Sequence, residues 1–361
     1  MLATPHTSRA VPSRFSPLTV RPDMASSWSD ADTDFDTAAD RIVKAHSADG
    51  EARDQPILEL RTWAMTAKGE HLALQPIAGH LPARVLRAGA FSNLMTRLNA
   101  PAEFVRDRLP APLQLATVNY LLTQSTSTKS ATLRLRGEEI ASLVSDRYTP
   151  LEPEELLGTV RGVLDRQDML GRARVRSIAT GTVDVLRLVF PGEERAIQIG
   201  DVTAVGLDIS TSCFARSALH VRGLLWRLRC TNGLRVAEHR GQLSFRHVGD
   251  IQRMKDGLAE AIPSCIARAR GVMDAWERSV HVMIDQVSEM VESLQLTVAE
   301  RLLVEEELTA ELGVPDLPES ASLYDVTNAV TAAARQAEPA RRLELETVAG
   351  EALERHTGQS S

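Results

Sequence analysis

The stretch WRLRCTNGL, residues 226–234, is the part of the sequence that decides the expected fold. Its Asn232-Gly233 pair is typical of a tight turn between two antiparallel strands. Successive side chains of a strand point to opposite faces, so the residues before the turn divide into an apolar set and a basic pair: Leu224, Trp226, Leu228 and Cys230 against Arg227 and Arg229. We therefore predict a strand with one buried face and one basic face that is free to meet a ligand or solvent.

The same period of two recurs on both sides of this stretch. Residues 131–136, ATLRLR, alternate apolar and charged side chains, and after a turn at 137–139 the segment 140–144 returns as a second strand. Further strands are predicted at 174–179, 182–190, 196–212, 218–230 and 234–245, and a helix at 153–166 begins with a proline that its first turn allows. The pattern predicts an α+β fold: a mainly antiparallel sheet with packed helices.

The flanking regions differ from this centre in composition. Residues 1–50 are rich in Ser, Thr, Asp and Pro without a sustained apolar period, and either Met1 or Met24 could be the start of the chain. Phe91, Leu94, Met95 and Leu98 have the spacing of an amphipathic helix. We predict a disordered tail over 1–50, an α+β core domain over 51–250 and an acidic helical region over 251–361.

Charge is distributed unevenly around the formal net charge of −7. Between Arg161 and Arg253, Lys and Arg outnumber Asp and Glu by 15 to 9, whereas after Arg253 the acidic residues lead by 20 to 9. In the acidic part, Thr297 and Glu300 have the spacing of a capping box that begins a helix, and a last helical pair is predicted from about Tyr324 to Leu353. The sequence thus combines a basic sheet with acidic helices.

An apolar seam runs through the start of the acidic region. Its residues are spaced alternately three and four apart, which predicts one helix with an a/d seam: Met273, Trp276, Val280, Met283, Val287, Met290 and Leu294. The seam is short for a coiled coil, so it either packs on the core of its own chain or joins the subunits of a homo-oligomer. An oligomer would strengthen weak ligand contacts through avidity.

Several blocks, in this order, resemble a known family: 90–122, 143–151, 206–210, 225–234 followed by Arg246-His247, and 324–331 followed by Ala349-Gly350. The family is that of the phage/plasmid-like proteins called domain of unknown function 932. At 210–213, Ser-Thr-Ser-Cys departs from the Asn, Ser, acidic residue and Gly that its members more often carry, which puts any role of that acidic residue in doubt here. The resemblance implies a mobile-element context and no established activity.

Motifs for common chemistries are missing from the sequence. It has no Walker-type loop, no Gly-x-Gly-x-x-Gly, no Gly-x-Ser-x-Gly and no Cys-x-x-Cys, so we predict no catalytic residues, no metal and no cofactor. Cys213, His220, Cys230 and His239 lack the spacing of zinc ligands. An unrecognised metal-dependent nuclease is an alternative that would use Asp146, Asp208 or Asp250, although aspartates at strand ends usually cap turns.

Cysteine usage and hydropathy bear on the compartment. Cys213, Cys230 and Cys265 are the three cysteines, an odd number that is typical of a reducing compartment, so we expect no disulfide. No stretch approaches the ~18 apolar residues of a membrane-spanning helix, and the first 24 residues have no signal-peptide core. We expect a cytoplasmic protein that is not embedded in a membrane.

Arginines on strands supply the functional hypothesis. The candidate nucleic-acid-binding residues are Arg134, Arg136, Arg147, Tyr148, Arg227, Arg229 and Arg246. They are expected to lie along one groove that tracks phosphates, and the scarcity of aromatic residues favours backbone contacts over base readout. We expect sequence-independent binding of single-stranded DNA, with strand annealing as one use of it. The alternative is a non-enzymatic protein-interaction or DNA-mimic role of the acidic C-terminal helices.

Overall fold

The computed structural model describes residues 16–25, 27–125, 130–198, 201–227, 232–235 and 244–358. Its helices are α1 (Phe35–Ala48), α2 (Ala88–Arg97), α3 (Ala102–Arg108), α4 (Ala111–Gln124), α5 (Pro153–Arg166), α6 (Ile251–Ser279), α7 (Val287–Ser293), α8 (Val298–Leu312), α9 (Leu323–Ala333) and α10 (Pro339–Thr357). Its strands are β1 (Ser27–Thr33), β2 (Ala52–Ile57), β3 (Trp63–Lys68), β4 (His71–Pro76), β5 (Arg84–Leu86), β6 (Ala131–Arg136), β7 (Glu139–Ser145), β8 (Arg174–Thr180), β9 (Asp184–Gln198), β10 (Asp201–Thr211), β11 (Leu219–Arg227), β12 (Asn232–Arg235), β13 (Ser244–Phe245), β14 (Met283–Ile284) and β15 (Ala321–Ser322). The predicted α+β class is confirmed.

The chain divides into two compact units. Unit 1 comprises Met1–Met24 and Asp49–Tyr148, and unit 2 comprises Ala25–Ala48 and Thr149–Ser361. The division differs from the predicted boundaries at 50 and 250. Helix α6, which the sequence predicted as part of a separate C-terminal region, instead packs directly on β11. The two backbones are so close that a Cβ built on Gly223 would lie 2.7 Å from the Cys265 carbonyl oxygen. The strand and the helix therefore share one core.

Unit 1 is built on a six-stranded sheet in the order β2-β6-β7-β5-β4-β3. Neighbouring strands are antiparallel, except that β5 and β7 run parallel. The amphipathic helix predicted around Phe91 is confirmed as α2, whose Phe91, Leu94 and Met95 are buried in the core of this unit. The predicted hairpin of 131–144 is confirmed as β6 and β7.

Unit 2 is built on an antiparallel sheet in the order β1-β8-β9-β10-β11-β12, with β13 also paired to β11. One face of the sheet packs on α1, α5 and α6 through apolar side chains that include Leu188, Leu207 and Val221. The opposite face carries charged side chains, among them Arg187 and Asp208, which are cross-strand neighbours. This second face positions the site described below.

The predicted disordered tail is wrong where the chain forms β1 and α1. Strand β1 pairs with β8, and α1 buries Phe35, Ala38 and Ile42 in the core of unit 2. These three residues already have helical spacing in the sequence, but a single apolar stripe among polar residues is a weak signal until a partner surface covers it. Residues 1–15 lie outside the described part of the chain.

The apolar seam is not one helix. Helix α6 ends at Ser279, Met283 lies in β14 with 55% of its surface exposed, and α7 begins at Val287. Five seam residues are buried in the core of unit 2: Met273, Trp276, Val287, Met290 and Leu294. The residues with three-and-four spacing therefore lie in two helices separated by a short strand, and not in one continuous helix. The oligomeric state stays a prediction, because nothing in a single chain tests it.

Two further predictions concern single residues. The capping box is confirmed, since the Thr297 hydroxyl accepts the Glu300 N–H at 3.3 Å and the Glu300 carboxylate accepts the Thr297 N–H at 2.7 Å. Asn232 and Gly233, predicted as a turn, instead lie in β12 opposite Arg227 and Trp226. Strand pairing therefore resumes earlier than the Asn-Gly pair indicated.

Among the described residues, none of the helices is both long and apolar enough to cross a membrane. Cys213 and Cys265 are buried and form no disulfide, whereas Cys230 lies outside the described residues. Trp226 is buried as predicted, with 1% of its surface exposed, and Leu228 lies outside the described residues.

Candidate anion-binding cavity

The predicted basic groove is not formed by the arginines proposed for it. In unit 1, Arg134 and Arg136 are buried; Arg134 donates to Asp54 at 3.2 Å, and its guanidinium lies 5.5 Å from the centre of the Tyr148 ring. In unit 2, Arg227 is buried and donates to Asp201 at 2.5 Å and to Glu311 at 2.7 Å. The alternation of side chains was predicted correctly for β6, but Asp54 of the neighbouring strand β2 pairs with Arg134 on the face that was expected to meet solvent.

The remaining candidates have other surroundings. Arg147 and Arg246 are exposed, Tyr148 is half-buried beside Arg134, and Arg229 lies outside the described residues. In β11, Arg227 shares its face with Val221 and Leu225 of the apolar core, whereas the face of Trp226 carries His220 and Arg222. The assignment of the two faces is therefore reversed: the basic side chains that meet a cavity belong to the Trp226 face.

A network of buried charges lies on that face of the sheet. Arg187 of β9 is fully buried and donates to Asp208 at 2.9 Å through Nε and to both carboxylate oxygens of Glu346 in α10. Arg235 of β12 donates to the other oxygen of Asp208 at 2.8 Å, and Arg342 of α10 donates to Glu346 at 3.0 Å. We call these five residues the arginine network. Its members come from three strands and one helix.

The arginine network holds more positive than negative charge. Among the described residues, Arg187, Arg235 and Arg342 share the carboxylates of Asp208 and Glu346. The buried Nε of Arg235 and Nη2 of Arg342 have no hydrogen-bond acceptor in the described part of the chain. A buried donor without an acceptor costs about 1–3 kcal/mol. The network therefore lacks negative charge and acceptor oxygens.

An aromatic ring and the pKa values reflect the same imbalance. The guanidinium groups of Arg187 and Arg342 lie 4.4 and 4.3 Å from the centre of the Trp28 ring, where the ring quadrupole attracts a cation. Burial, with repulsion from Arg222 and Arg187, lowers the pKa of Arg235 to about 10 despite the attraction of Asp208. Burial raises the pKa of Asp208, but the arginines outweigh it and hold that pKa below its ordinary value.

A cavity of about 450 Å³ opens beside Arg235. Its cationic and hydroxyl-bearing lining comes from β10, β11, β12, α10 and the loop after β10; the described residues around it are Val183, Ser210, Arg216, Ser217, His220, Arg222, Arg235, Gln295, Ala340, Arg341, Leu343, Glu344, Thr347, Val348 and Glu351. Four arginines face two glutamates in this lining. Cavities of this size are typical of small-ligand sites.

Local hydrogen bonds position the cationic side chains. Arg222 lies directly across from Asp208 on the neighbouring strand and donates to the Thr347 hydroxyl at 3.1 Å. The Ser212 hydroxyl accepts the backbone N–H groups of Phe214 and Arg216 at 3.2 and 3.1 Å, which shapes the loop that brings Arg216 to the cavity. Arg341 is paired with Glu300 and Glu344.

The sequence contained one signal for this site that its interpretation missed. Arg187 lies in the middle of the apolar run VLRLVF, residues 185–190. A charged side chain in a strand that is otherwise buried needs a buried partner. Arg342 and Glu346, four residues apart on one helix, could have suggested such a partner, but nothing local indicates that they meet β9.

The aspartates of the nuclease hypothesis have structural partners. Both carboxylate oxygens of Asp208 accept hydrogen bonds from arginines, which leaves it poorly suited to hold a metal. Asp250 caps α6 by accepting the Gln252 N–H at 2.9 Å, and in unit 1 Asp146 accepts the Ser130 hydroxyl. Asp250 therefore has the capping role that is usual for such aspartates.

Of the four cysteine and histidine residues that were considered as zinc ligands, the structure describes Cys213 and His220, and these two have different surroundings. Cys213 lies beside His46 and Asp184, with one potential ligand atom from each residue within 4.8 Å of the others. His220 lines the cavity, whereas Cys230 and His239 lie outside the described residues. His46 comes from the segment expected to be disordered, so the sequence did not suggest this cluster.

Comparison with known proteins identifies a family without naming an activity. The family model described as Domain of unknown function (DUF932) matches residues 141–348, which is more than half of the chain and includes the whole arginine network. No curated protein and no solved structure is significantly similar to the chain. The chain therefore belongs to the Domain of unknown function (DUF932) family, as its sequence blocks indicated.

Proposed function

We propose that unit 2 binds single-stranded DNA through its phosphates, without reading base sequence, and that the cavity beside the arginine network receives one phosphate group. The observation that carries this proposal is the charge imbalance: three buried guanidiniums share two carboxylates next to a cavity that Arg216 and Arg222 also line. Phosphate oxygens would supply negative charge to the network and an acceptor to Arg235, the network arginine that lines the cavity.

Residue type supports phosphate over a neutral ligand. Arginine presents a planar fork of N–H donors that matches phosphate oxygens, and the lining adds the hydroxyls of Ser210, Ser217 and Thr347. A volume of about 450 Å³ has room for a phosphate with its attached sugar, which is the repeating unit of a nucleic-acid backbone.

The lining also supports binding that ignores sequence. Among its described residues there is no Phe, Tyr or Trp on which a base could stack. Contacts would be to the backbone, whose binding weakens as salt rises because counterions are released. Such a protein acts by binding, and strand annealing is one process it would serve because annealing needs no nucleotide hydrolysis.

The test is fluorescence anisotropy of a labelled oligothymidylate at a series of salt concentrations. We expect Arg222→Ala and Arg216→Ala each to weaken binding about 10-fold and to reduce the salt slope by about one. Arg161→Ala is the matched control, because Arg161 is an exposed arginine of unit 2 that pairs with Asp36 away from the cavity lining, and it should change affinity less than about twofold.

Three outcomes would contradict the proposal. Equal losses in the cavity variants and in Arg161→Ala would show that DNA binds elsewhere. Binding of inorganic phosphate, measured by calorimetry, without binding of the oligonucleotide would make the ligand a small anion instead. If neither binds, the role of the acidic C-terminal helices in protein interaction becomes the hypothesis to pursue.

A further inference from the structure

A thiol, an imidazole and a carboxylate meet inside unit 2. His46 lies in the last turn of α1, Asp184 begins β9, and Cys213 follows β10. Their exposed fractions are 3%, 5% and 1%. Three separate segments thus bring together the residue types that form a nucleophile, a base and a group that orients the base.

The two ring nitrogens of His46 have different partners. Nε2 lies 2.8 Å from Oδ1 of Asp184, and Nδ1 lies 3.7 Å from Sγ of Cys213. A carboxylate accepts a hydrogen bond, so Nε2 donates to Asp184, and in the neutral form of the ring Nδ1 is left to accept the thiol proton. Gly181 donates its N–H to the same Asp184 oxygen at 3.2 Å, which helps to hold the carboxylate in place.

The hydrogen bonds within the cluster favour proton transfer over metal binding. An ion between Cys213 and Nδ1 of His46 could not also bind Nε2, which points away from it toward Asp184. Cys213, His46 and Asp184 each offer one potential ligand atom within 4.8 Å of the others, but the Asp184 oxygen that faces the ring already accepts hydrogen bonds from Nε2 and from the Gly181 N–H. The linear order of thiol, imidazole and carboxylate instead matches proton transfer from sulfur to nitrogen.

We propose that Cys213 is an oxidative modification site, at which His46 and Asp184 activate the thiol for reaction with small hydroperoxides. The thiol proton moves to Nδ1 of His46, and the sulfur attacks the terminal peroxide oxygen. An S–O bond forms as the O–O bond breaks, and the departing oxygen takes the proton from His46. The thiol is oxidised to a sulfenic acid, and the hydroperoxide is reduced to water or an alcohol.

The electrostatics of His46 support its part in this step. Burial lowers the pKa of His46, but the hydrogen bond and charge of Asp184, together with Cys213, outweigh burial and raise that pKa to about 10. A base of this strength holds a transferred proton firmly, and the transfer proceeds from the form of the protein in which Nδ1 is unprotonated, whose share grows as the pH rises toward 10. Asp184 acts as a positioning residue that stabilises the imidazolium.

Burial restricts which reagents reach the sulfur. Cys213 starts the loop between β10 and β11, and three residues later Arg216 of the same loop is exposed at the cavity. A small peroxide needs only a local opening of this loop, whereas a bulky thiol reagent needs a larger one. This inference stands on the cluster alone and does not depend on DNA binding.

The experiment compares two buried thiols in one protein. Cys230→Ser with Cys265→Ser leaves Cys213 as the single thiol, and Cys213→Ser with Cys230→Ser leaves Cys265, which is equally buried but donates to the Val221 carbonyl at 3.3 Å. Sulfenic acid formed with hydrogen peroxide is trapped with dimedone and quantified by mass spectrometry. We expect Cys213 to react at least about 10-fold faster than Cys265.

Substitutions in the Cys213-only protein separate activation from access. His46→Gln should lower the oxidation rate about 10-fold or more, toward that of Cys265, because the proton acceptor is lost. Asp184→Asn should lower it less, since the amide oxygen still accepts the imidazole N–H; this variant serves if His46→Gln does not fold. Equal rates for the two thiols, or a rate that neither substitution changes, would overturn the proposal.

Discussion

Both units bury arginines, but they balance the charge differently. In unit 1, Arg87 donates to Asp49 at 2.8 Å and to Glu139 at 2.9 Å, and the half-exposed Arg21 approaches the second oxygen of Glu139. Carboxylates and guanidiniums are equal in number there. In unit 2, the arginine network has three guanidiniums for two carboxylates. Charge balance, rather than burial, therefore distinguishes the two clusters of arginines.

The pKa values of the arginines follow this difference. Burial lowers the pKa of Arg87, but Asp49 and Glu139 outweigh burial and raise that pKa above its ordinary value. Within the arginine network only the pKa of Arg187, which contacts both carboxylates, is raised in the same way. Burial and repulsion between neighbouring arginines leave the pKa values of Arg235 and Arg342 lowered.

The largest expected effect comes from removing a carboxylate. Glu346→Gln leaves three buried guanidiniums with one carboxylate, and we expect the free energy of unfolding to fall by about 3–5 kcal/mol. Asp49→Asn in unit 1 leaves Arg87 with Glu139 and should cost about 1–2 kcal/mol. Urea unfolding followed by hydrogen exchange, read peptide by peptide, assigns each loss to its unit. Equal losses would show that the charge imbalance does not matter.

Removing an arginine should reverse the ranking of the two units. Arg342→Met leaves two guanidiniums with two carboxylates, and the Met side chain can still pack on Trp28, so we expect a change within about 1 kcal/mol. Arg87→Met leaves Asp49 and Glu139 without their buried cation and should destabilise unit 1 by about 2–3 kcal/mol. The same urea and exchange measurement applies. A larger loss for Arg342→Met would break the comparison.

Alkaline pH should weaken unit 2 more than unit 1. The folded pKa of His46, about 10, lies above its ordinary value of 6.5, so the folded state holds a proton that the unfolded state releases between these values. This contribution to stability is complete below pH 6.5 and is lost as the pH rises through 10. In the described part of unit 1, the resolved pKa shifts belong to carboxyl and guanidinium groups, whose ordinary values lie outside this window.

The measurement is the urea midpoint of each unit between pH 6.5 and 10, again resolved by hydrogen exchange. His46→Gln should flatten the decline of unit 2 and leave unit 1 unchanged. A decline of the same slope in the wild type and in His46→Gln would mean that other groups cause it.

Local sequence patterns were enough to predict the α+β class, the family, helix α2, the β6–β7 hairpin, and the capping box of Thr297 and Glu300. Each of these depends on residues close together in the chain, whose periodicity or turn chemistry acts locally. Tertiary structure alone decided which polar face is buried. Arg134 pairs with Asp54 on the neighbouring strand. Arg187 pairs with Glu346, which lies 159 residues later in the chain, and His46 lies beside Cys213, which lies 167 residues later. A charged residue looks solvent-exposed in a local pattern until a distant segment supplies its counter-charge, because desolvation and pairing are properties of the folded neighbourhood.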